Sequence, residues 1–339
     1  MQKMLAKICV LLYILITKTI EYKDDERDIK EDTKMKGFIS NTWKHRAHVL
    51  MCLPAFTVLL LFSYIPMAGL TMAFKKFEYN LGIWGSPWNG LDNFKFLIAS
   101  GGTFWRMTRN TLMYYAIFTI VVTVGSIALA IALDSFRQKR LAKTMQTIMI
   151  APIFISFAAV QFIVYAYFNG SDGLVNGFLQ SIGSSPVRWY TKASTWPAIL
   201  TIVKIWNSVG YCSVLYMSVL AGIDQGLYEA AQIDGANTRK QIVHITLPAL
   251  VPMITTMFLL SVGCIMRSDT GIFYQVTRNS GILYETTQVI DSYVLNAVIT
   301  TSNPGFTAAT TFYQSVIGLL LILIANGVVR KLEPDNSLF

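Results

Sequence analysis

Long apolar windows free of charge recur along the chain, separated by short polar segments. They run from Val49 to Phe74, Asn110 to Leu133, Thr144 to Ser171, Gln241 to Met266 and Ser292 to Val329. A further window, Ala193 to Ile223, holds a single charge, Lys204. Each exceeds the roughly 20 residues a helix needs to cross a bilayer, and a continuous helix satisfies its own backbone groups in lipid. The last window is interrupted by Ser302-Asn303-Pro304-Gly305, a turn signal, so its helix is expected to begin near Thr307. The pattern predicts an all-α integral membrane protein with six transmembrane helices.

The amino-terminal end follows a different pattern. Ile8 to Thr17 is apolar but lies between Lys7 and Lys18, too short to span, and no small-residue cleavage site follows it. Residues 21–48 carry seven acidic and seven Lys/Arg side chains, which marks a solvated stretch. Translation starting at Met35 is an alternative to Met1. The expected organisation is a cytoplasmic segment 1–45 (1–34 peripheral or disordered), a membrane domain 46–332 and a cytoplasmic tail 333–339.

Composition removes the soluble classes. Of 339 residues, 53% are hydrophobic and 14% charged, against about a quarter charged in globular proteins; the mean hydropathy is +0.48. The net charge of +9 comes with no basic stripe or zinc spacing, so nucleic acid is not the expected partner. Lys and Arg instead set orientation. With the amino end inside, the inner segments hold fifteen, from Lys23 to Lys331, and the outer ones nine, from Lys75 to Arg278. Both termini are therefore expected in the cytoplasm of a multi-pass plasma-membrane protein. Cys9, Cys52, Cys212 and Cys264 share no metal or redox spacing and read as small buried hydrophobes, and His45, His48 and His244 form no cluster. Neither a metal site nor catalytic residues are expected.

The polar segment between the fourth and fifth windows, residues 223–248, is unusual for a loop. Leu227 to Ile233 has helical composition, with Ala230 and Ala231 as strong helix formers. Gly235 follows, and glycine readily takes the left-handed conformation that ends a helix. Asn237 to Ile245 can form a second short helix, before Pro248 and Pro252 near the start of the fifth span. The physical picture is a helix–turn–helix elbow on the membrane surface, exposing Glu229 and Asp234 with its apolar side against the bundle.

The run Glu229-Ala230-Ala231, Asp234-Gly235-Ala236 and Leu247-Pro248 resembles the coupling motif of permease subunits in binding-protein-dependent ABC importers. The match covers about twenty positions with Ile242 in place of the family's usual phenylalanine. Trp88 to Phe94 and Arg109 to Leu112 are similar to the outer segment before the second span in sugar-type permeases. Thr286 to Val294 and the ending Pro334 to Phe339 resemble the complex-oligosaccharide branch. The resemblance implies a type I importer permease fold whose elbow docks on an ATPase. It also implies a heterodimer with a second homologous permease, two ATPase subunits or domains and an extracytoplasmic sugar-binding protein. No GxxxxGK[ST] phosphate loop occurs in the chain, so this chain is expected to bind no cofactor and to be no enzyme, with ATP and Mg used by the partner ATPase. Two alternatives stay open: an importer for a different solute, and a proton- or ion-coupled secondary transporter. The latter usually carries carboxylates within its helices, and none falls within the predicted spans.

Polar groups in apolar surroundings are candidates for the substrate path. Lys204 lies about 12 Å into its helix from Trp196, at roughly 1.5 Å per residue. It can snorkel outward, line the path or bond between helices. Asn207 can bond between helices or meet substrate. Arg267 and Asp269 are expected near the outer end of the fifth span, where they pair with each other or face the solute. Tyr274, with Phe273 and Tyr284, offers a flat face for sugar, or belongs to an interfacial aromatic belt.

Overall fold

The computed structural model describes residues 46–99, 102–136, 138–300 and 303–332. The amino-terminal segment 1–45 and the tail 333–339 lie outside the described residues. The chain divides into two compact units, residues 1–71 and 72–339.

In the first unit, helix α1 (Arg46–Leu59) passes into a π-helical stretch, Leu60–Tyr64, and then into a 3-10 stretch from Ile65. Pro66 supplies the local cause. Its ring clashes with the carbonyl four residues back and it has no N–H to give, so the preceding Ile65 N–H bonds to Leu60, five residues back. Leu50, Met51, Phe56, Leu61 and Phe62 are exposed; a helix apolar all round is suited to lipid.

The second unit contains α2 (Asp92–Ala99), α3 (Gly102–Asp134), α4 (Lys139–Ile150), α5 (Phe157–Phe168) and α6 (Leu174–Ser181). It continues with α7 (Trp196–Leu220), α8 (Gln225–Ile233), α9 (Leu247–Val262), α10 (Ile290–Thr300) and α11 (Pro304–Leu332). Among the described residues the one extended pairing is a bridge between Lys75 and Trp88. Among the described residues, five helical stretches are long and apolar enough to span: 50–74, 102–134, 193–220, 238–262 and 304–331. The third window differs from a straight span, because residues 140–154 and 157–168 meet at 101°. Pro152 tightens the chain into a 3-10 turn, Ile155 is extended, and Ser156 restarts the helix by accepting the Ala159 N–H. Counted as one, the bent pair brings the spans to six.

Two element boundaries shift from expectation. The last helix begins at Pro304, three residues before Thr307, because proline suits the first helical position and Asn303 Oδ1 caps it through the Phe306 N–H at 3.2 Å. Helix α3 begins at Gly102 and so includes Arg106 and Arg109.

Helix α7 is the central span: 44% of its apolar window is buried within the chain, against 22% for α3, α9 and α11. Small residues let its neighbours approach, as expected where lipid offers no hydrophobic drive between helices. A Cβ at Gly210 of α7 would lie 1.8 Å from the Met149 carbonyl oxygen of α4, and one at Gly125 of α3 would meet Val209 at 3.2 Å. Ser126 Oγ donates to the Val209 carbonyl at 3.2 Å. One apolar cluster, including Tyr114, Trp196, Leu200 and Phe273, packs one end of α7, and a smaller one, with Ala130, Tyr216 and Leu250, packs the other.

A carboxylate stands just before the last predicted window and ties the neighbouring elements together. Asp291, in the first turn of α10, accepts the Ser268 N–H and, at 3.0 Å, Gln314 Nε2 of α11. Gln314 donates as well to the Met266 carbonyl at 2.8 Å, so the group joins three elements. Of the cysteines expected to be buried, Cys52 and Cys212 are half-buried and Cys264 is exposed, while Cys9 lies outside the described residues.

Candidate functional site

Helix α8 has caps at both ends. Asp224 Oδ1 accepts the Gly226 N–H at 2.9 Å, satisfying one of the donors a helix start leaves open. At the other end Gly235 has φ +75°. The Ala236 N–H bonds to the Ala231 carbonyl at 2.8 Å and the Gly235 N–H to that of Gln232 at 3.0 Å, the paired six-to-one and five-to-two bonds of a Schellman motif. Asn237 Oδ1 then accepts the Lys240 N–H at 3.0 Å and opens the next turn, Thr238–Gln241. Gln241 Nε2 reaches back to the Ala236 carbonyl at 3.2 Å. The chain enters α9 through a π-helical stretch, Ile242–Thr246, where the Leu247 N–H bonds to Ile242. Pro248 stands two residues after this stretch, as Pro66 does after the other, and the same missing donor and ring clash account for both.

Glu229, Ala230, Asp234 and Gly235 are exposed, Ala231, Ala236 and Leu247 are half-buried, and Pro248 is exposed. The expected burial of the elbow's apolar side is not what the structure has. Leu227 is 53% and Ile233 87% exposed. The half-buried Tyr228 is the tether, its hydroxyl 3.0 Å from that of buried Thr246. A nine-residue helix held along one narrow stripe leaves its other apolar residues outward. The elbow therefore presents two carboxylates among bare aliphatic side chains, an arrangement suited to a partner's cleft.

Away from the elbow, at the opposite end of α7 and α9, two segments that stand out in the sequence meet. Asn110 Nδ2 donates to the carbonyls of Glu285 and Gln288, both at 3.2 Å, and Thr111 Oγ1 accepts the Ile290 N–H at 3.2 Å. The Tyr114 hydroxyl donates to the Thr286 carbonyl at 2.9 Å, and Thr286 Oγ1 to that of Ala193 at 2.7 Å. Irregular backbone inside a membrane protein needs such internal partners. Asn93 serves similarly, donating to the carbonyls of Met72, Ala73 and Lys75 where the first span ends. Exposed Lys95 forms an ion pair with Asp92 at 2.7 Å that raises its pKa, a surface interaction of small consequence.

Of the path candidates, the structure brings together Lys204 and Asp269, whose charged atoms are 3.5 Å apart and partly exposed. Arg267 is exposed, and the acid it was expected to pair with is engaged by Lys204 instead. Asn207 is buried and donates to the Pro152 carbonyl at 2.9 Å, an interhelical bond that supports the bend. Tyr274 is half-buried, and its carbonyl accepts the Asn279 N–H at 2.9 Å. Sequence reasoning missed Asn176. Fully buried, it donates to the carbonyls of Asn169, Gly170 and Val187 and accepts from the Val187 N–H and Trp189 Nε1. An asparagine in a short helix outside the spans carries no local mark of such a role.

Residues 122–335 match the model of a family described as binding-protein-dependent transport system inner membrane component. The chain is 29% identical to protein LplB of Bacillus subtilis over 85% of its own length and 89% of that protein. It is also 29% identical to the polygalacturonan/rhamnogalacturonan transport system permease protein YteP of the same organism, over 89% and 94%. Among solved structures, a chain of a bacterial ABC transporter that imports the acidic polysaccharide alginate superposes with a TM-score of 0.78. Identity there is 30%, over 88% of this chain and 99% of that one. The same transporter type bound to an alginate pentasaccharide-loaded periplasmic protein gives 0.78 and 29%, over 86% and 97%.

Proposed function

The chain belongs to the family of binding-protein-dependent transport system inner membrane components, and we propose that it conducts an acidic oligosaccharide through an ATP-driven importer. It is a multi-pass permease of the ABC importer class. The saccharides named for its relatives, polygalacturonan, rhamnogalacturonan and alginate, are what support an acidic saccharide.

The single observation that carries the coupling role is the exposed elbow. Its backbone is fixed by caps at both ends of α8 and tied through Tyr228 to the start of α9. A push on α8 is therefore passed to the base of a span rather than absorbed in a loose loop. The excess of Lys and Arg on the elbow's side supports a cytoplasmic elbow and termini. The partners in this proposal are a second homologous permease, two ATPase subunits and an extracytoplasmic sugar-binding protein, with ATP and Mg bound by the ATPases. ATP binding closes the ATPases, the elbow rocks, and the permease pair opens toward the loaded binding protein. Hydrolysis returns the inward-facing state. The residues proposed to line the path are Lys204, Asp269, Arg267 and Tyr274, with Asn207 supporting from behind.

Uptake into proteoliposomes containing the assembled transporter tests this. Accumulation of a uronic-acid trisaccharide is expected to need ATP on the elbow side and the binding protein on the other, and to survive an uncoupler of the proton gradient. Collapse with the uncoupler at constant ATP would assign the chain to ion-coupled transport.

A further inference from the structure

After the π-helical turn Gly271–Val276, Arg278 and Asn279 have φ of +55° and +49°. Asparagine enters this left-handed region readily, but an arginine there is uncommon and carries a backbone cost. A tight turn needing only that backbone is relieved by glycine; here the chain places arginine and asparagine there and holds them. Asn279 and Asn296 exchange reciprocal amide bonds, both 2.8 Å, and the Tyr284 hydroxyl donates to Asn279 Oδ1 at 2.7 Å. The turn itself is seated on α5, because Gly271 lies so close to the Phe157 ring that a Cβ would meet it at 2.5 Å.

The turn presents a guanidinium over an aromatic ring. Arg278 is exposed, with its Cζ 4.3 Å from the centroid of the Tyr165 ring. Tyr190 packs edge-on to Tyr165 at 5.7 Å. A guanidinium held over a ring face keeps N–H groups free for the two parallel bonds that a carboxylate accepts. No ion pair of the described residues includes Arg278. The neighbouring Tyr190 hydroxyl does not neutralise it either. Burial pushes that phenol up to about 12, the arginine charge pulling only partly the other way, so it stays uncharged at neutral pH. Strain held by a surrounding network, with an uncompensated charge at its tip, is a mark of a preorganised binding group.

We propose that Arg278, laid on Tyr165, binds the carboxylate of a uronate unit as the sugar passes the end of the bundle away from the elbow. The sugar ring of that unit finds an aromatic surface beside the charge. This rests on the acidic-saccharide reading, and the experiment separates the two.

The assembled transporter is reconstituted with its binding protein, and uptake of a uronic-acid trisaccharide is compared with that of its carboxyl-reduced counterpart. Arg278→Gln is expected to raise the KM for the acidic sugar about tenfold, the worth of a charged hydrogen bond, and to leave the neutral sugar's uptake within about twofold. Arg278→Lys, which keeps the charge and loses the fork, is expected to fall between. Unchanged uptake of both sugars in Arg278→Gln overturns the proposal, and so does an equal loss of both, which would indicate a structural role for the turn. Loss of binding-protein-stimulated ATP hydrolysis without any sugar also overturns it, because the carboxylate would then belong to the binding protein. A wild-type transporter that moves only the neutral sugar contradicts the acidic-saccharide reading itself, whatever the variants do.

Discussion

Replacing Gly235 with proline is expected to reduce uptake to background while the chain still inserts and assembles. Proline fixes φ near −65°, and Gly235 stands at +75°. The substitution also removes the N–H that closes α8 on Gln232. The end of α8 must then unwind, and Glu229 and Asp234 lose their fixed relation to Tyr228, the tether to α9. Because the fault lies in transmission rather than in the path, ATP hydrolysis by the assembled complex is expected to lose its response to the loaded binding protein. Gly235→Ala provides the graded control. No atom lies within 4 Å of a Cβ built there, so the cost is backbone strain alone, about 1 kcal/mol. Uptake in that variant should drop only a few-fold. Equal damage from alanine and proline would mean that the left-handed backbone is not what matters at this position.

Gly210→Ala is expected to have the largest effect on stability. The added Cβ would sit 1.8 Å from the Met149 carbonyl oxygen and 2.3 Å from its carbon. Both are backbone atoms, so no rotamer change relieves the clash and α4 must move away from α7. Overpacking costs about 1–3 kcal/mol in ordinary cores and occasionally more; a backbone collision belongs at or above the top of that range. The same movement strains the Asn207 bond to Pro152 that supports the bend between α4 and α5. Thermal unfolding of the purified complex should shift down by several degrees or the complex should fail to form. Gly327→Ala in α11, where a Cβ meets nothing within 4 Å, should leave the midpoint unchanged or slightly higher. Matching midpoints for the two variants would show that α4 and α7 are not in close contact.

What the sequence made legible was whatever its physics confines to neighbours along the chain. Apolar run length located the spans, since bilayer thickness sets it directly. The end of α8 was readable because a Schellman closure needs one glycine at one position, and Gly235 supplies it. Pro304 was misread as turn because Asn-Pro serves both as a breaker and as a helix start; only the Asn303 cap decides between them. The bend at Ser156 was hidden, because Pro152 inside an apolar run is compatible with a kinked span as well as a broken one. The far end was least legible. Lys204 meets Asp269 across 65 positions, Asn110 meets Gln288 across 178, and Arg278 meets Tyr165 across 113. No local pattern encodes such pairs. The local alternative, Arg267 with Asp269, was therefore the natural expectation even though the fold gives the acid a different partner.

A separate ATPase is expected to act on the elbow surface. A single cysteine at Ile233, 87% exposed on α8, and one at Ile282, 62% exposed at the other end of the bundle, test it in a chain otherwise free of cysteine. The assembled transporter is treated with a short bifunctional thiol reagent against a single-cysteine ATPase, with and without ATP. Cross-linking of the ATPase through Ile233→Cys, changing in yield with nucleotide, and its absence through Ile282→Cys, is the predicted result. Cross-linking at Ile282→Cys with none at Ile233→Cys would contradict the account, because the coupling surface would then lie at the end assigned to the sugar.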